Sequence, residues 1–369
     1  MATQRVAGLL GLSAWAGFLL QWLTASNAVA AVVGPPALPP AATLAPRLGA
    51  ADIGVVINTE DPLSVAIGEY YVHRRGIPEA NVVRVRFEYR RDALPRADFL
   101  ALRTAIEREL PQRVQAYALT WARPYRVGCM SITSAFTFGL NEEDYCTPGC
   151  KPTRQSPYFN SSVTRPYDTL GMRPTMSIAA EDFARAKALI DRGVRSDGLA
   201  PGGTAYLVST NDQQRNGRAA EYPLAIRVAE HEFNFRVITG APPENPADVM
   251  FYFTGASQVA RLDEERFLPG AVADHLTSFG GMLTDSPQMS SLRWLDAGAT
   301  GSFGTVVEPC NLLGKFPAIP VLLAHYLAGE TLIEAYWKSV LMPGQGLFIG
   351  EPLAAPFRAP ASQGLAGRQ

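Results

Sequence analysis

The sequence predicts an α/β protein: a single three-layer domain with a mainly parallel sheet, helices on both faces and a cysteine-bearing loop insertion. Three observations carry that expectation. From Asp52 onward, short apolar β-rich runs alternate with segments of helical period, the pattern of strands joined by crossover helices. The alternation breaks at Pro124 and resumes after Arg173, which reads as an insertion within one domain. A chain of 369 residues is long enough to bury the core such a sheet needs.

Each element has its own signal. Ile53–Thr59 is an apolar run, and the helix after it takes Asp61 as N-cap, Pro62 at its first position and Gly76 as its stop. Asn81–Tyr89 reads as a second strand, and Arg96–Leu110 as a helix buried through Phe99, Leu102, Ile106 and Leu110. Ala116–Trp121 is a third strand. Between Pro124 and Arg173 turn formers dominate, and Tyr158, Phe159 and Tyr167 read mainly as packing residues. A helix with Phe183, Ala186, Leu189 and Ile190 on one face follows, then a strand at Thr204–Thr210, a helix in Tyr222–Phe233 and a short strand at Phe235–Gly240. The C-terminal third holds three more runs, in Asp248–Gly255, Pro269–Leu283 and Leu295–Cys310, and closes on Gly344–Phe357.

Residues 1–30 read as a secretory signal peptide: Arg5, an interrupted apolar run, then the small-x-small site Ala28-Val29-Ala30. Residues 31–51 read as a Pro/Ala-rich linker, 52–357 as the domain and 358–369 as a disordered tail. Without the arginine of the leader, 32 basic residues face 34 acidic ones, and no Lys/Arg stripe suggests nucleic acid as a partner. No second long apolar run follows the leader, so no stable membrane insertion is expected and the protein should act in the periplasm or outside the cell.

Export makes disulfides the default for Cys129, Cys146, Cys150 and Cys310. Four cysteines allow three connectivities and the spacing does not choose. One option closes Cys146 on Cys150 around a Pro-Gly turn and leaves Cys129 with Cys310. A metal site is disfavoured, because the close pair lacks zinc-like spacing and no histidine lies near it.

Ligands of an open α/β sheet sit beyond the carboxyl ends of its strands. Three runs end there in small or polar residues: Thr254-Gly255, Thr277-Ser278 and Glu308-Pro309-Cys310. No nucleotide fingerprint, nucleophile elbow or zinc-protease motif is present, so no cofactor and no metal are expected. Asp274, His275 and Ser278 are the residue types of an orienter, base and nucleophile. In a strand, however, His275 points away from both neighbours, so a triad needs a bend at Ser278 that Gly280-Gly281 would permit. Cys310 is a second candidate nucleophile. His73, beside Arg74 and Arg75, reads as a solvated helix end.

Several blocks occur together in an uncharacterised secreted bacterial family found in genomes that encode exosortase, the proposed sorting transpeptidase for PEP-type C-terminal anchors. They include INTEDPLSVAIGEYYVHRRGIPEANVVRV, AYLVST-x-D-x-x-R, PGAVADHLTSFGG, QMSSLRWLDAGATGSFGTVVEPC and GQGLFIGEPLAAPF. The chain resembles that family over roughly Asp52 to Phe357, which implies an envelope context. The C-terminal part, 248–357, more distantly resembles the caspase-like domain of gingipain-type cysteine peptidases. There the first strand ends in the catalytic His and the second in the catalytic Cys. The matching positions here hold Thr254 (or Gly255) and Ser278, so the resemblance implies a caspase-like or Rossmann-like sheet without the thiol mechanism.

Two functions follow as expectations. The first is a non-catalytic exported protein that binds a peptide or envelope component at the strand ends, around Thr254, Gly255, Asp274, Thr277, Glu308 and Cys310. The second is a hydrolase using Ser278 or Cys310 with His275 as base.

Overall fold

The computed structural model describes residues 47–146 and 150–359. The leader, most of the linker and most of the expected tail lie outside them. The chain enters β1 (Ile53–Asn58) and then α1 (Pro62–Arg75), whose Asp61 cap accepts from the Leu63 amide and whose Gly76 stop has φ 62°. Next come β2 (Val82–Val85), α2 (Arg96–Glu109) and β3 (Ala116–Leu119). The insertion supplies a hairpin, β4 (Arg126–Val127) and β5 (Met130–Ser131), and helices α3 (Ile132–Phe138), α4 (Glu142–Tyr145) and α5 (Pro166–Leu170). After it come β6 (Thr175–Ser177), α6 (Phe183–Ser196), β7 (Thr204–Ser209), α7 (Tyr222–Ala229), β8 (Asn234–Thr239), β9 (Val249–Thr254) and β10 (Phe267–His275). The remainder is α8 (Leu292–Ala297), β11 (Gly301–Thr305), α9 (Ile319–Leu327), α10 (Leu332–Ser339) and β12 (Gly346–Gly350).

Ten of the described strands form one sheet in the order β2-β1-β3-β6-β12-β11-β10-β9-β7-β8. Every neighbouring pair is parallel except β11 and β12, which run antiparallel from Gly301 opposite Gly350 to Thr305 opposite Gly346. The sheet therefore consists of two parallel blocks pointing in opposite directions, and their carboxyl ends lie at opposite margins. Alternation along β9 sets the layers: Tyr252 packs on Trp294 of α8, while Phe251 faces Phe233 and Tyr326 of α9. All six residues of β9 are buried, as a central parallel strand requires.

The structure departs from the sequence expectations at three places. The insertion is a packed layer: Ile132 to Thr137 are all buried in α3. Its Ser/Thr hydroxyls look loop-forming in sequence but spend their hydrogen bonds on the last loop. Ser131 Oγ donates to the Gly346 carbonyl at 2.5 Å and Ser134 Oγ to that of Pro343 at 2.6 Å. The strand β6 goes unpredicted because three residues carry no period, yet it joins β3 to β12 at the middle of the sheet. The ends also belong to the domain: Arg47 pairs with buried Glu330 at 2.6 Å, and Arg358 donates to the Leu48 carbonyl at 3.1 Å.

Candidate functional site

The strand ends of the second block bring together Thr254-Gly255 at the end of β9, Leu276-Thr277-Ser278 after β10 and a turn after β7 that holds Asp212 and Arg215. That turn is self-braced: the Arg215 guanidinium pairs with Asp212 at 2.6 Å and the Arg215 amide donates to the Asp212 carboxylate at 3.2 Å. Partial burial pushes the Asp212 carboxyl up, but Arg215 overcomes it and holds the group below the usual range.

The turn closes the end of β9. A Cβ built on Gly255 would lie 2.0 Å from the Arg215 carbonyl oxygen, so only glycine fits beneath that backbone. Thr210 Oγ1 ties the turn down by donating to the Gly255 carbonyl at 2.5 Å. Thr254 is buried, and its carbonyl accepts from the Leu276 amide at 2.9 Å. Thr277 is buried too: Arg215 Nε donates to its hydroxyl at 3.1 Å, and that hydroxyl donates to Gln288 Oε1 at 2.7 Å. Arg215, Asp212 and Gln288 are therefore site residues to which the sequence assigns no role, although the first two lie in the block AYLVST-x-D-x-x-R of the family resemblance. The Asp-x-x-Arg spacing directly after a strand was the available signal.

The expected triad does not form. Trp294 Nε1, which can only donate, reaches His275 Nδ1 at 2.9 Å, so the imidazole proton sits on Nε2 and is donated to the Met289 carbonyl at 3.1 Å. Both ring nitrogens are occupied, and neither contacts Ser278. The half-buried Ser278 hydroxyl makes no hydrogen bond among the described residues; its carbonyl accepts from Thr305 Oγ1 at 2.8 Å. Burial pushes the His275 pKa down to about 4, with the Arg218 and Arg215 charges adding to the effect against the Met289 hydrogen bond. A neutral, doubly engaged imidazole cannot accept a hydroxyl proton. Asp274 points the other way and pairs with Arg218, both side chains being almost wholly buried.

Cys310 is not a nucleophile: it is bonded to Cys150, and Cys129 is bonded to Cys146. The Cys146–Cys150 closure does not occur. The first bridge fastens the β4–β5 hairpin to the end of α4, and the second fastens the insertion to the loop after β11. Glu308 is exposed and caps that loop, its carboxylate accepting from the Cys310 amide at 2.7 Å. Among the described residues no cluster of His, Cys, Asp and Glu could hold a metal ion, and no helix is long and apolar enough to cross a membrane.

The order of the second block, five parallel strands with β12 antiparallel on its inner flank, decides the fold class. The architecture is caspase-like. A solved chain from the complex of Porphyromonas gingivalis RgpB pro- and mature domains superposes with a TM-score of 0.50, over 84% of this chain and 81% of that one. Their sequence identity is 9%, so the likeness is one of fold. No protein-family model and no curated protein sequence matches the chain.

His275 has a consequence for acid stability. Its folded pKa lies below that of an unfolded histidine near 6.5, so the unfolded chain binds the proton first and stability falls as pH drops from about 6.5 to 4. The loss should reach about 3 kcal/mol at pH 4. Urea unfolding across that range checks it: His275→Gln should flatten this acid limb, and an unchanged slope would refute the assignment.

Proposed function

We propose that the protein is an exported, non-catalytic, caspase-like envelope protein that binds an extended peptide segment of a partner. The observation carrying this reading is the closed strand end, with the Arg215 backbone seated on Gly255 and both nitrogens of His275 committed. With all four cysteines paired, the site keeps neither a thiol nor a usable imidazole. The two bridges suit an oxidising compartment, and the family resemblance adds the exosortase context.

The strand-end cleft expected from sequence is occupied by the protein's own turn, so the peptide is better received nearby, at the free margin of the sheet. Among the described strands β8 pairs with β7 alone, and its residues are exposed or half-buried. Val237 is 54% exposed. The stretch Asn234–Thr239 contains no proline or lysine, and its one charge is Arg236, so it lacks most devices that discourage strand addition. An extended peptide added to this edge would satisfy its outward amides and carbonyls.

Peptide arrays followed by titration test the reading. Val237→Lys should weaken the best peptide about tenfold without lowering the melting temperature, and neither fluorophosphonate nor thiol probes should label the parent. Probe labelling that disappears in Ser278→Ala would instead establish a hydrolase. Unchanged peptide affinity in Val237→Lys would remove β8 as the docking edge.

A further inference from the structure

The first parallel block contains a cavity of about 270 Å³ that the peptide reading leaves unused. It lies between α2, α3 and the Tyr167–Arg173 segment, near the amino ends of β3 and β6. Its wall holds a guanidinium with no direct ion pair among the described residues, its nearest counter-charge being Asp168 at longer range. Arg173 is 6% exposed, its Nε donates to the Val114 carbonyl at 2.9 Å, and its guanidinium carbon sits 3.1 Å from the Tyr167 ring centre and 5.5 Å from that of Tyr117. Among the described residues it forms no ion pair, and its two terminal nitrogens make no hydrogen bond. The nearby carboxylates are taken: Asp168 pairs with Arg165 at 2.5 Å and Glu107 with Arg103 at 2.9 Å.

Two more buried donors lack partners in the same wall, the Tyr117 hydroxyl and Arg103 Nε. Burial pushes the Tyr117 pKa up to about 12, which keeps that hydroxyl protonated and able to donate. Buried donors without a partner, here the neutral Tyr117 hydroxyl and the charged Arg103 Nε, are costly unless something else supplies the acceptor, and the terminal nitrogens of Arg173 stand open beside them.

We infer that this cavity binds the carboxylate of a small hydroxylated acid, of the size and charge of one uronic-acid sugar, with Arg173 as its anchor. Charge sets the valence: Arg103 and Arg173 face one carboxylate, Glu107, leaving a single positive excess. The planar fork of an arginine matches a carboxylate in two parallel hydrogen bonds. A volume of about 270 Å³ leaves room for one sugar ring. Tyr117 and Gln112 supply polar atoms for ring hydroxyls.

Calorimetric titration of the full chain with glucuronate, glucose and inorganic phosphate tests this. Glucuronate should bind one to one, glucose should give no heat, and phosphate should bind at least tenfold more weakly. Arg173→Gln should weaken glucuronate tenfold or more. Tyr117→Phe removes a hydroxyl that has no protein partner, so it should fold normally and bind several-fold more weakly. Absence of binding in the parent, equal binding of glucose or phosphate, or unchanged affinity in both variants overturns the inference. The cavity and β8 lie in different blocks, so each result stands apart from the peptide test.

Discussion

Removing the Cys150–Cys310 bridge with paired serine substitutions should lower unfolding free energy by about 5 kcal/mol, against about 3 kcal/mol for Cys129–Cys146. The difference comes from the chain each bridge closes in the unfolded state, 160 residues against 17. The long bridge also joins the insertion to the loop after β11, whereas the short one acts within the insertion. Urea midpoints of the two serine pairs measure the comparison. Equal losses, or a larger loss from the short bridge, would show that native packing rather than loop closure sets the contribution.

Replacing Arg218 by methionine should cost about 3–5 kcal/mol, because it leaves the Asp274 carboxylate buried without its cation. Arg218 and Asp274 are 2% and 1% exposed, and Arg218 Nη2 also reaches the Thr254 carbonyl at 3.4 Å. The double variant Arg218→Met with Asp274→Leu should recover much of the loss, since an apolar pair needs no counter-charge. The pH dependence has a definite sign. Burial holds the Asp274 pKa above the usual carboxylate range, and Arg218 offsets only part of that rise. Without Arg218 the folded state holds the carboxyl neutral well above its unfolded value, and the ionised form is penalised as pH rises. The gap between variant and parent should therefore narrow as pH falls from 7 toward 5. A gap that stays constant would mean that lost packing, not the stranded charge, is responsible.

The periodic elements were legible in the sequence where one local cause was enough. The cap at Asp61, the stop at Gly76 and the face of α2 appear where their residues place them, and so does the α6 face except for Phe183, which is exposed at the helix start. So do the apolar runs of β1, β7 and β9, each shorter by a residue or two than its run. What resisted reading was whatever depended on a distant partner. Helix α3 is written in Ser and Thr, whose hydroxyls find the Pro343 and Gly346 carbonyls more than two hundred residues away. At the strand ends, the state of Thr254, Gly255, Thr277 and Ser278 depends on Arg215, Gln288 and Trp294, which reach them from other parts of the chain.

By itself the sequence determined the α/β alternation, its interruption between Pro124 and Arg173 and the margin where function would be sought. Those properties follow from local periodicity and residue identity. Tertiary structure alone decided which cysteines pair, that the sheet reverses between β11 and β12, and that the strand-end margin is sealed by its own turn. Each of these is a meeting of segments far apart in the chain, fixed by shape and hydrogen-bond partners that no stretch of sequence contains. The same holds for the Arg173 cavity: the carboxylates near its guanidinium are held by Arg103 and Arg165, and only the folded chain shows that.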